Sequence, residues 1–359
     1  MKIVVFIGAG FSSAWGLPMM RDFFAHAKIA DYLSEDDKQF LTRLRERAQA
    51  SHRMLEVRPG NLEDILSLCF ASGQFAVDFP EEASDEYKKL CRILQDVYKN
   101  VGTRRRGYTY YSDMDINPVE NLLGLYKKIH HDITLITTNY DVVLEFCLWK
   151  LQRPCCLPFT WQPSIVKGQD KIGNLYILNK KKFSPVLCKL HGSINWFNRP
   201  DEKSELRIES SIVRSQISDD EDLDDITYDE QNEFRYVEQP LVASKEYTNE
   251  NVSIIIPPIV FKVQTHRCFV PIWEAAGQAL QEADKVVFVG YSFPDSDNYL
   301  RYFIASNLTK PDLDKIQIVA PHATDIYNKL TKSNFGSYFK NLLEPIDTEW
   351  QSGKYSVLD

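Results

Sequence analysis

Three polar side chains of this sequence stand just behind apolar runs, and their types suit proton transfer at a sugar. His191 follows the run VLCKL at 186–190, and Asn139 and Asp141 follow the run ITLIT at 133–137. An imidazole has an ordinary pKa of about 6.5, so it can accept a proton near neutral pH. Asparagine and aspartate two positions apart in extended chain point the same way and can hold sugar hydroxyls. Each also has a structural alternative, with His191 as a buried structural residue and Asp141 as the cap of the following helix.

Two glycine-containing turns follow two further apolar runs. Gly8-Ala9-Gly10-Phe11-Ser12 comes after IVVFI, and Gly290 and Ser292 come after VVFV. Glycine lets a phosphate approach the backbone, and the start of the next helix offers free N–H groups to an anion. An ordinary strand-to-helix turn remains the alternative at both places. The first turn departs from the dinucleotide fingerprint GxGxxG, because Ser13 replaces its third glycine and no strand with an acidic end follows. A hydride-transfer enzyme is therefore disfavoured.

The apolar runs predict the sheet that must position these residues. They are nearly continuous and lie at 3–7, 133–137, 186–190, 286–289 and 316–320, with a weaker candidate at 253–256. Continuous runs are typical of strands covered on both faces, as in a parallel sheet flanked by helices. Ligands of such sheets bind at the carboxyl ends of the strands, where the polar residues of this sequence gather.

Two segments interrupt the strands. Residues 20–130 have helical periodicity and are predicted to form a largely helical insertion after the first helix, with Asn61 as a helix cap. Residues 201–236 include ISDDEDLDDITYDE, which is acidic and poor in core residues. This segment is predicted to be a solvated loop or insertion, since it lacks the glycine and the final glutamate of a calcium-binding EF-hand loop.

Composition excludes several classes of protein. The chain has 359 residues, 44% of them hydrophobic, and a net charge of −8, which gives no general attraction to nucleic acid or to anionic membranes. The apolar N-terminus is too short and glycine-rich for a signal peptide, and no run approaches the length of a membrane helix. The seven cysteines form no CxxC pair, which argues against a disulfide framework or a zinc site. We expect a cytoplasmic protein with reduced thiols.

Four motifs together resemble one known family. GAGFSSAWGLP, TTNYD, KLHGSINW and VGYSF occur in the order and spacing of the sirtuin-like NAD-binding domains, and in particular resemble their divergent bacterial branch. The resemblance covers residues 1–320. It implies an α/β fold, a Rossmann-like parallel sheet flanked by helices, with residues 321–359 as a C-terminal extension that packs on this domain.

The resemblance also implies roles for individual positions. Asn139, Asp141 and His191 match the catalytic positions of the family. The residues that match positions around the dinucleotide are Gly8, Ala9, Gly10, Phe11, Ser12, Arg21, Thr138, Gly290 and Ser292. Met19 replaces an aspartate of the family motif, so one contact of that motif is missing.

One departure from the family pattern bears on function. Sirtuins that deacylate proteins carry two CxxC pairs after the His-Gly motif, whereas residues 193–290 of this chain contain only Cys268. Four soft ligands cannot be assembled there, so we expect no metal. The divergent branch resembles NAD hydrolases of bacterial antiphage defence. The resemblance thus implies an NAD+ hydrolase that releases nicotinamide and ADP-ribose, with NAD+ as its substrate.

Two other functions remain open at this point. The same site could transfer ADP-ribose to a protein or deacylate one, or the domain could sense NAD or ADP-ribose without catalysis. Retention of both Asn139 and His191 favours catalysis, because binding alone needs no base. The resemblance further implies a homo-oligomer, or a separately encoded defence partner such as a HerA-type ATPase or an Argonaute-like protein.

Overall fold

The fold is built on parallel strands that the apolar runs supply. A computed structural model describes residues 1–25, 33–55, 60–74, 85–100, 116–124, 132–151, 155–158, 164–166, 176–177, 185–198, 206–209, 253–256, 269–294, 297–332 and 339–358. The strands among these residues are β1 (Lys2–Ile7), β2 (Asp132–Thr137), β3 (Cys155–Cys156), β4 (Ser164–Val166), β5 (Tyr176–Ile177), β6 (Val186–Lys189), β7 (Gly192–Asn198), β8 (Leu206–Glu209), β9 (Ser253–Ile255), β10 (Lys285–Val289), β11 (Lys315–Ala320) and β12 (Leu343–Asp347).

The helices lie between the strands in the sequence and flank the sheet. They are α1 (Ala9–Ser12), α2 (Glu35–Leu55), α3 (Leu62–Gln74), α4 (Asp85–Asn100), α5 (Asn117–Leu123), α6 (Val143–Lys150), α7 (Val270–Glu282), α8 (Asn298–Asn307) and α9 (Ala323–Thr331). Four of them, α2 to α5, lie between β1 and β2, where the sequence predicts the helical insertion. No helix of the described part of the chain combines the length and the apolar composition that a bilayer crossing requires.

The main sheet has eight strands in the order β12-β11-β10-β1-β2-β6-β3-β5. Every pairing within it is parallel. The interior strands are rich in valine, isoleucine and phenylalanine, and all side chains of β10 are buried. The predicted α/β fold with a Rossmann-like parallel sheet is therefore confirmed. β12 and β5 are the two edge strands, so the sheet continues into the C-terminal residues at one side.

A second sheet of four strands, in the order β4-β8-β7-β9, adjoins the first. Its β7 pairs antiparallel with both β8 and β9. The weaker candidate at 253–256 does contain a strand, β9 (Ser253–Ile255), but it belongs to this second sheet and not to the parallel one. Residues 206–209 form β8 within the segment predicted to be an acidic loop. The rest of residues 201–236 lies outside the described residues, as does Cys268.

Gly192 allows the chain to pass from one sheet to the other. β6 ends at Lys189, and β7 begins at Gly192. Gly192 has φ of 81°, and an added Cβ would overlap the carbonyl oxygen of Ile254 in β9. Only glycine adopts this conformation without strain and leaves room for the neighbouring strand. His191 is held at this corner, because its carbonyl accepts a hydrogen bond from Ile256 N at 2.8 Å.

The C-terminal residues pack against the first turn of the chain. The ring of Trp350 stacks on Phe11 in α1, with centroids 4.5 Å apart and planes at 19°. Trp15 lies 5.2 Å from the Trp350 ring and completes the cluster. Further along, Val357 N donates to the Leu122 carbonyl at 2.7 Å. Residues from both ends of the chain therefore fix the turn that follows β1.

We predict that Gly192→Ala destabilises the protein by about 2–4 kcal/mol, because the methyl group adds backbone strain and overlaps β9. Gly60→Ala is a matched control. An added Cβ there has Arg21 O, at 3.9 Å, as its nearest neighbour, so we expect a change within about 0.5 kcal/mol. Chemical denaturation measures both free energies of unfolding. Equal stabilities for the two variants would contradict the role assigned to Gly192.

Candidate active site at the carboxyl edge of the parallel sheet

Strand register brings the predicted motifs to one edge of the sheet. Ile7 in β1 pairs with Thr137 in β2 and with Val289 in β10, and Thr137 pairs in turn with Lys189 in β6. These four residues are the last of their strands. The segments that follow, which start at Gly8, Thr138, Leu190 and Gly290, therefore leave the sheet side by side. The motifs meet because four neighbouring parallel strands end in register.

The two glycine turns are packed backbone against backbone. Gly10 N donates to Gly290 O at 3.0 Å, and Gly8 N donates to Val289 O at the same distance. An added Cβ on Gly8 would lie 2.6 Å from Gly290 O, and one on Gly290, whose φ is 59°, would lie 2.6 Å from Phe11 N. The expected approach of a phosphate to this turn stays a prediction, and the structure adds a second reason for the glycines. Gly10 and Phe11 already donate within the protein, and the glycines are required by the contact between the turns.

Asn139, Ser12 and Asp141 form one buried hydrogen-bond network across β1 and β2. Asn139 Nδ2 lies 3.1 Å from both Gly8 O and Ser12 Oγ, and the Ser12 hydroxyl donates to Asp141 Oδ1 at 3.0 Å. Thr137 Oγ1 donates to Ile7 O at 2.8 Å and accepts from Asn139 N at 3.0 Å. The network fixes the amide of Asn139 and the carboxylate of Asp141 at the end of β2, as the sequence predicts.

Asp141 serves both as a helix cap and as a buried charge. Its Oδ1 accepts from Val143 N at 3.0 Å, so the structural role left open by the sequence is also present. Burial raises the pKa of Asp141 above its ordinary value of 3.8, while Lys189 and the two hydrogen bonds act in the opposite direction. Lys189 donates to the main-chain oxygen of Asp141 and lies 2.6 Å from Glu145 Oε1. The Lys189–Glu145 pair is fully buried, and losing one partner would leave a buried charge.

His191 faces a carboxylate that the sequence analysis did not assign to the site. Its Nε2 lies 3.1 Å from Asp297 Oδ2, and both side chains are 1% exposed. The ring of Tyr140 lies 6.2 Å from the imidazole, centroid to centroid. Main-chain hydrogen bonds join the two segments, since Leu190 N donates to Thr137 O and Ile194 N donates to Tyr140 O, both at 2.9 Å. His191 therefore lies in a segment that runs beside the one carrying Asn139 and Asp141, and their joint action on one substrate stays a prediction.

Three buried tyrosines lie near the carboxylates of this region. Burial raises the pKa of Tyr98, Tyr140 and Tyr291, so their hydroxyls stay protonated at neutral pH. Nearby carboxylates raise these pKa values further. Glu63 of α3 acts on all three tyrosines, and Asp297 acts on Tyr140 and Tyr291. The region therefore combines protonated hydroxyl donors with buried acidic groups.

The residues predicted to surround a dinucleotide occupy different environments. Thr138 is buried at the end of β2, and Phe11 turns its ring to Trp350. Ser292 is exposed. The Arg21 side chain is 73% exposed, and its Nε lies 3.3 Å from Asp22 Oδ2. Exposed hydroxyl and guanidinium groups of this kind suit a polar ligand that extends out of the buried region.

Asp297 lies beside His191 although the sequence motifs do not assign it to the site, and Glu63 of the helical insertion, whose approach to the site the sequence leaves open, acts on the tyrosines there. Asp297 was visible as a polar residue after Gly290, with only a capping role considered, and it is indeed the N-cap of α8, accepting from Leu300 N at 3.3 Å. Glu63 lies in the first turn of α3. The only local indication that Asp297 belongs to the site is its position shortly after Gly290, the glycine at the end of a strand. Nothing local connects Glu63 with residues of the sheet.

Within the described ranges, no group of three or more histidine, cysteine, aspartate or glutamate side chains is arranged to hold a metal ion. The cysteines of these ranges are buried thiols, namely Cys69, Cys91, Cys147, Cys155, Cys156 and Cys188. Burial raises the pKa of Cys91 to about 12, which keeps that thiol protonated.

Comparisons with known proteins identify one family. The model of the SIR2-like domain matches residues 133–335, which is more than half of the chain and includes Asn139, Asp141, His191 and Asp297. No curated protein matches the sequence. Similar solved structures include a triple mutant of a Sir2 homologue with 2′-O-acetyl ADP-ribose, at 12% identity, with 98% of this chain and 87% of the other covered and a TM-score of 0.38.

A second similar structure is a Sir2 homologue with a histidine-to-asparagine substitution, in complex with ADP-ribose. It has 11% identity and a TM-score of 0.32, and the alignment covers 95% of this chain and 89% of the other. At these TM-scores the likeness supports no conclusion about the site or its ligand.

We predict that Asp141→Asn leaves the protein at least as stable as the wild type at pH 7. Because the pKa of Asp141 is raised on folding, the folded state binds more protons. Wild-type stability should therefore fall as pH rises from the ordinary value of 3.8 through the raised pKa, and the variant should lack this fall. Chemical denaturation between pH 4 and 7 measures the difference.

Asp284→Asn is the control of opposite sign. Hydrogen bonds from Lys310 and from the main chain of Lys2 lower the pKa of Asp284, so its stabilising effect is present at neutral pH and is lost as pH falls through the lowered pKa. This variant should be less stable than the wild type at pH 7. If Asp141→Asn behaves in the same way as Asp284→Asn, burial does not dominate at Asp141.

Proposed function

Since this chain belongs to the SIR2-like domain family, we propose that it binds NAD+ as a substrate and hydrolyses the bond between nicotinamide and ribose. The observation that supports the proposal is the adjacency of two segments, one after β2 with Asn139 and Asp141 and one after β6 with His191, which leave neighbouring parallel strands in register. These residues supply an amide, a carboxylate and an imidazole, which are the groups that orient a sugar and move its protons.

The charge of the site fits this substrate. Cleavage of the bond to nicotinamide develops positive charge on the ribose, in the manner of an oxocarbenium ion. Buried carboxylates stabilise such a charge strongly, because little water screens them. Asp141, Asp297 and Glu63 are all buried. The hydroxyls of Tyr98 and Tyr291, which burial keeps protonated, would add hydrogen-bond donors for the carboxamide or the ribose.

The reaction balances without a metal or a redox partner. The bond from C1′ to the ring nitrogen breaks, and its electron pair stays with nicotinamide, which leaves as a neutral molecule and needs no general acid. The oxygen of water bonds to C1′ and gives up a proton. We assign acceptance of that proton, directly or through a ribose hydroxyl, to His191. Asn139 holds the water or a ribose hydroxyl, and Asp141 orients the reacting end.

The rest of the dinucleotide has a proposed place at the same edge. The pyrophosphate would lie over the turn of Gly8, Ala9, Gly10, Phe11 and Ser12, with Thr138 beside it. The exposed guanidinium of Arg21 can pair with a phosphate. Gly290 and the exposed hydroxyl of Ser292 would take the adenosine side.

The proposal extends to a biological role. An NAD+ hydrolase of this kind would deplete the cell of NAD+, and the four motifs resemble defence enzymes that do so when triggered. Such an enzyme must be held inactive in uninfected cells. We propose a cytoplasmic protein regulated by self-association or by a separately encoded defence partner, either a HerA-type ATPase or an Argonaute-like protein.

We predict that Asn139→Ala and His191→Ala each lower the rate of nicotinamide release by at least about 100-fold, since each removes a group that acts on the reacting sugar. Chromatography of the wild-type reaction, with its trigger where one is needed, measures the release. Asn307→Ala and His322→Ala are matched controls, because Asn307 lies near the end of α8 and His322 is exposed before α9. Thermal unfolding confirms that each variant is folded. Undiminished release by both site variants would refute the assignment.

We predict that the released ADP-ribose carries one oxygen from the solvent. Hydrolysis in H₂¹⁸O places the label on C1′, whereas transfer to a protein acceptor leaves ADP-ribose attached to that protein. Mass spectrometry of the product and of the protein distinguishes the two reactions. Covalently modified protein without labelled ADP-ribose would favour a transferase.

A further inference from the structure

The contact between His191 and Asp297 joins strands that are not neighbours. In the sheet, β1 and β2 lie between β6 and β10, so the strands that precede the two residues are about 14 Å apart. The two side chains nevertheless meet at 3.1 Å, with Nε2 of the imidazole facing Oδ2 of the carboxylate. Both are 1% exposed, so this hydrogen bond forms where little water competes.

The fold holds Asp297 from several sides. Its Oδ1 accepts from Leu300 N at 3.3 Å and caps α8, while its main-chain N donates to Pro294 O at 3.2 Å. One oxygen of the carboxylate is therefore used for the helix and the other for the imidazole. Phe293, just before Pro294, has φ of 50°. A non-glycine residue keeps a strained backbone conformation only where surrounding contacts hold it in place. Such residues are frequent at functional sites.

The same loop is fastened to two helices. The carbonyl of Phe293 accepts from Arg301 in α8 and, at 3.4 Å, from Lys329 Nζ in α9. Tyr291 packs its ring between Phe6 and Phe293, with centroids 4.7 and 4.8 Å away. These contacts fix Tyr291 and Phe293, which follow β10, against the sheet and the two helices. The position of Asp297 is therefore set independently of His191.

We propose that Asp297 is the positioning residue of His191, holding the imidazole proton on Nε2 and the ring in one orientation. A carboxylate can only accept a hydrogen bond from the imidazole, so the nitrogen facing it carries the proton. In a neutral ring Nδ1 is then the basic nitrogen. Nδ1 is the atom that accepts the proton of water or of a ribose hydroxyl. This inference rests on the proposed function, but the placement of the proton can be measured without it.

A helix cap alone would not require this arrangement. Asparagine and serine cap helices about as well as aspartate does. Asp297→Asn therefore keeps the cap and the shape of the side chain, but its amide can turn an N–H group toward Nε2 and move the imidazole proton to Nδ1. Asp297→Ser keeps the cap and is too short to reach the ring. A purely structural role predicts that both variants behave as the wild type.

The direct test is the tautomer of His191. Long-range ¹H–¹⁵N spectra of histidine-labelled protein show which ring nitrogen carries the proton, and His191→Gln assigns the signal among the seven histidines. We expect the proton on Nε2 in the wild type and on Nδ1 in Asp297→Asn. The matched control is Asp347→Asn, because Asp347 Oδ1 accepts from Thr324 N at 2.9 Å beside α9. That variant should leave the His191 signal unchanged.

Kinetics supply the second test. In Asp297→Asn we expect kcat for nicotinamide release to fall by about 10²–10⁴-fold, with KM changed by less than about threefold, because the base is lost and binding is not. Asp297→Ser should show a similar loss. If the wild type releases nicotinamide and Asp297→Asn does so at an unchanged rate, the inference is wrong and the proposed function stands.

The two hypotheses fail in different ways. If the wild type releases no nicotinamide under any trigger, the proposed function fails, and the tautomer still decides whether Asp297 places the proton. If Asp297→Asn does not fold, the wild-type spectrum is sufficient. A proton on Nδ1 of His191 in the wild type would overturn the inference with no variant at all.

Discussion

The close contact between the turns after β1 and β10 is the constraint on which the site depends. Gly8 and Gly10 lie against Gly290 so tightly that an added Cβ on any of them would fall within about 3 Å of backbone atoms. This contact places Ser12 where it can reach both Asn139 and Asp141. It also sets the start of the loop that carries Asp297. Larger residues would separate the turns, and the groups of the site with them.

The sequence predicts five strands of the parallel sheet, β1, β2, β6, β10 and β11, because each consists of a continuous apolar run. Each of the five predicted runs lies within a residue or two of the ends of its strand, and Asn139, Asp141 and His191 follow strand ends that those runs mark. β3, β4, β5, β7 and β8 were not predicted, because none of them carries a continuous apolar run; β3 and β5 are two-residue strands at one side of the main sheet, and the other three lie in the second sheet. β12 was missed although its segment was expected to pack on the domain.

The pairing of His191 with Asp297 could not be predicted, for a physical reason. It depends on how far a loop reaches across two intervening strands, and no local pattern encodes this distance. The glycines give a related lesson. Gly8, Gly10 and Gly290 were predicted from a phosphate-binding role, which stays a prediction, while the structure shows that contact between the two turns also requires them. That contact joins residues far apart in the sequence, so no local pattern could indicate it.

The buried charges of the site are difficult to explain by stability alone. Removing a carboxylate from water costs several kcal/mol unless partners compensate, and apolar residues of similar size often serve a core equally well. Lys189 and Glu145 compensate each other, but burial still raises the pKa of Asp141. Glu63 and Asp297 raise the pKa of tyrosines around them in the same way. Buried carboxylates without solvent lower the stability of the folded protein. The same carboxylates stabilise a positive charge that forms on a bound substrate. This cost is the physical reason to look for the reaction at the carboxyl edge of the sheet.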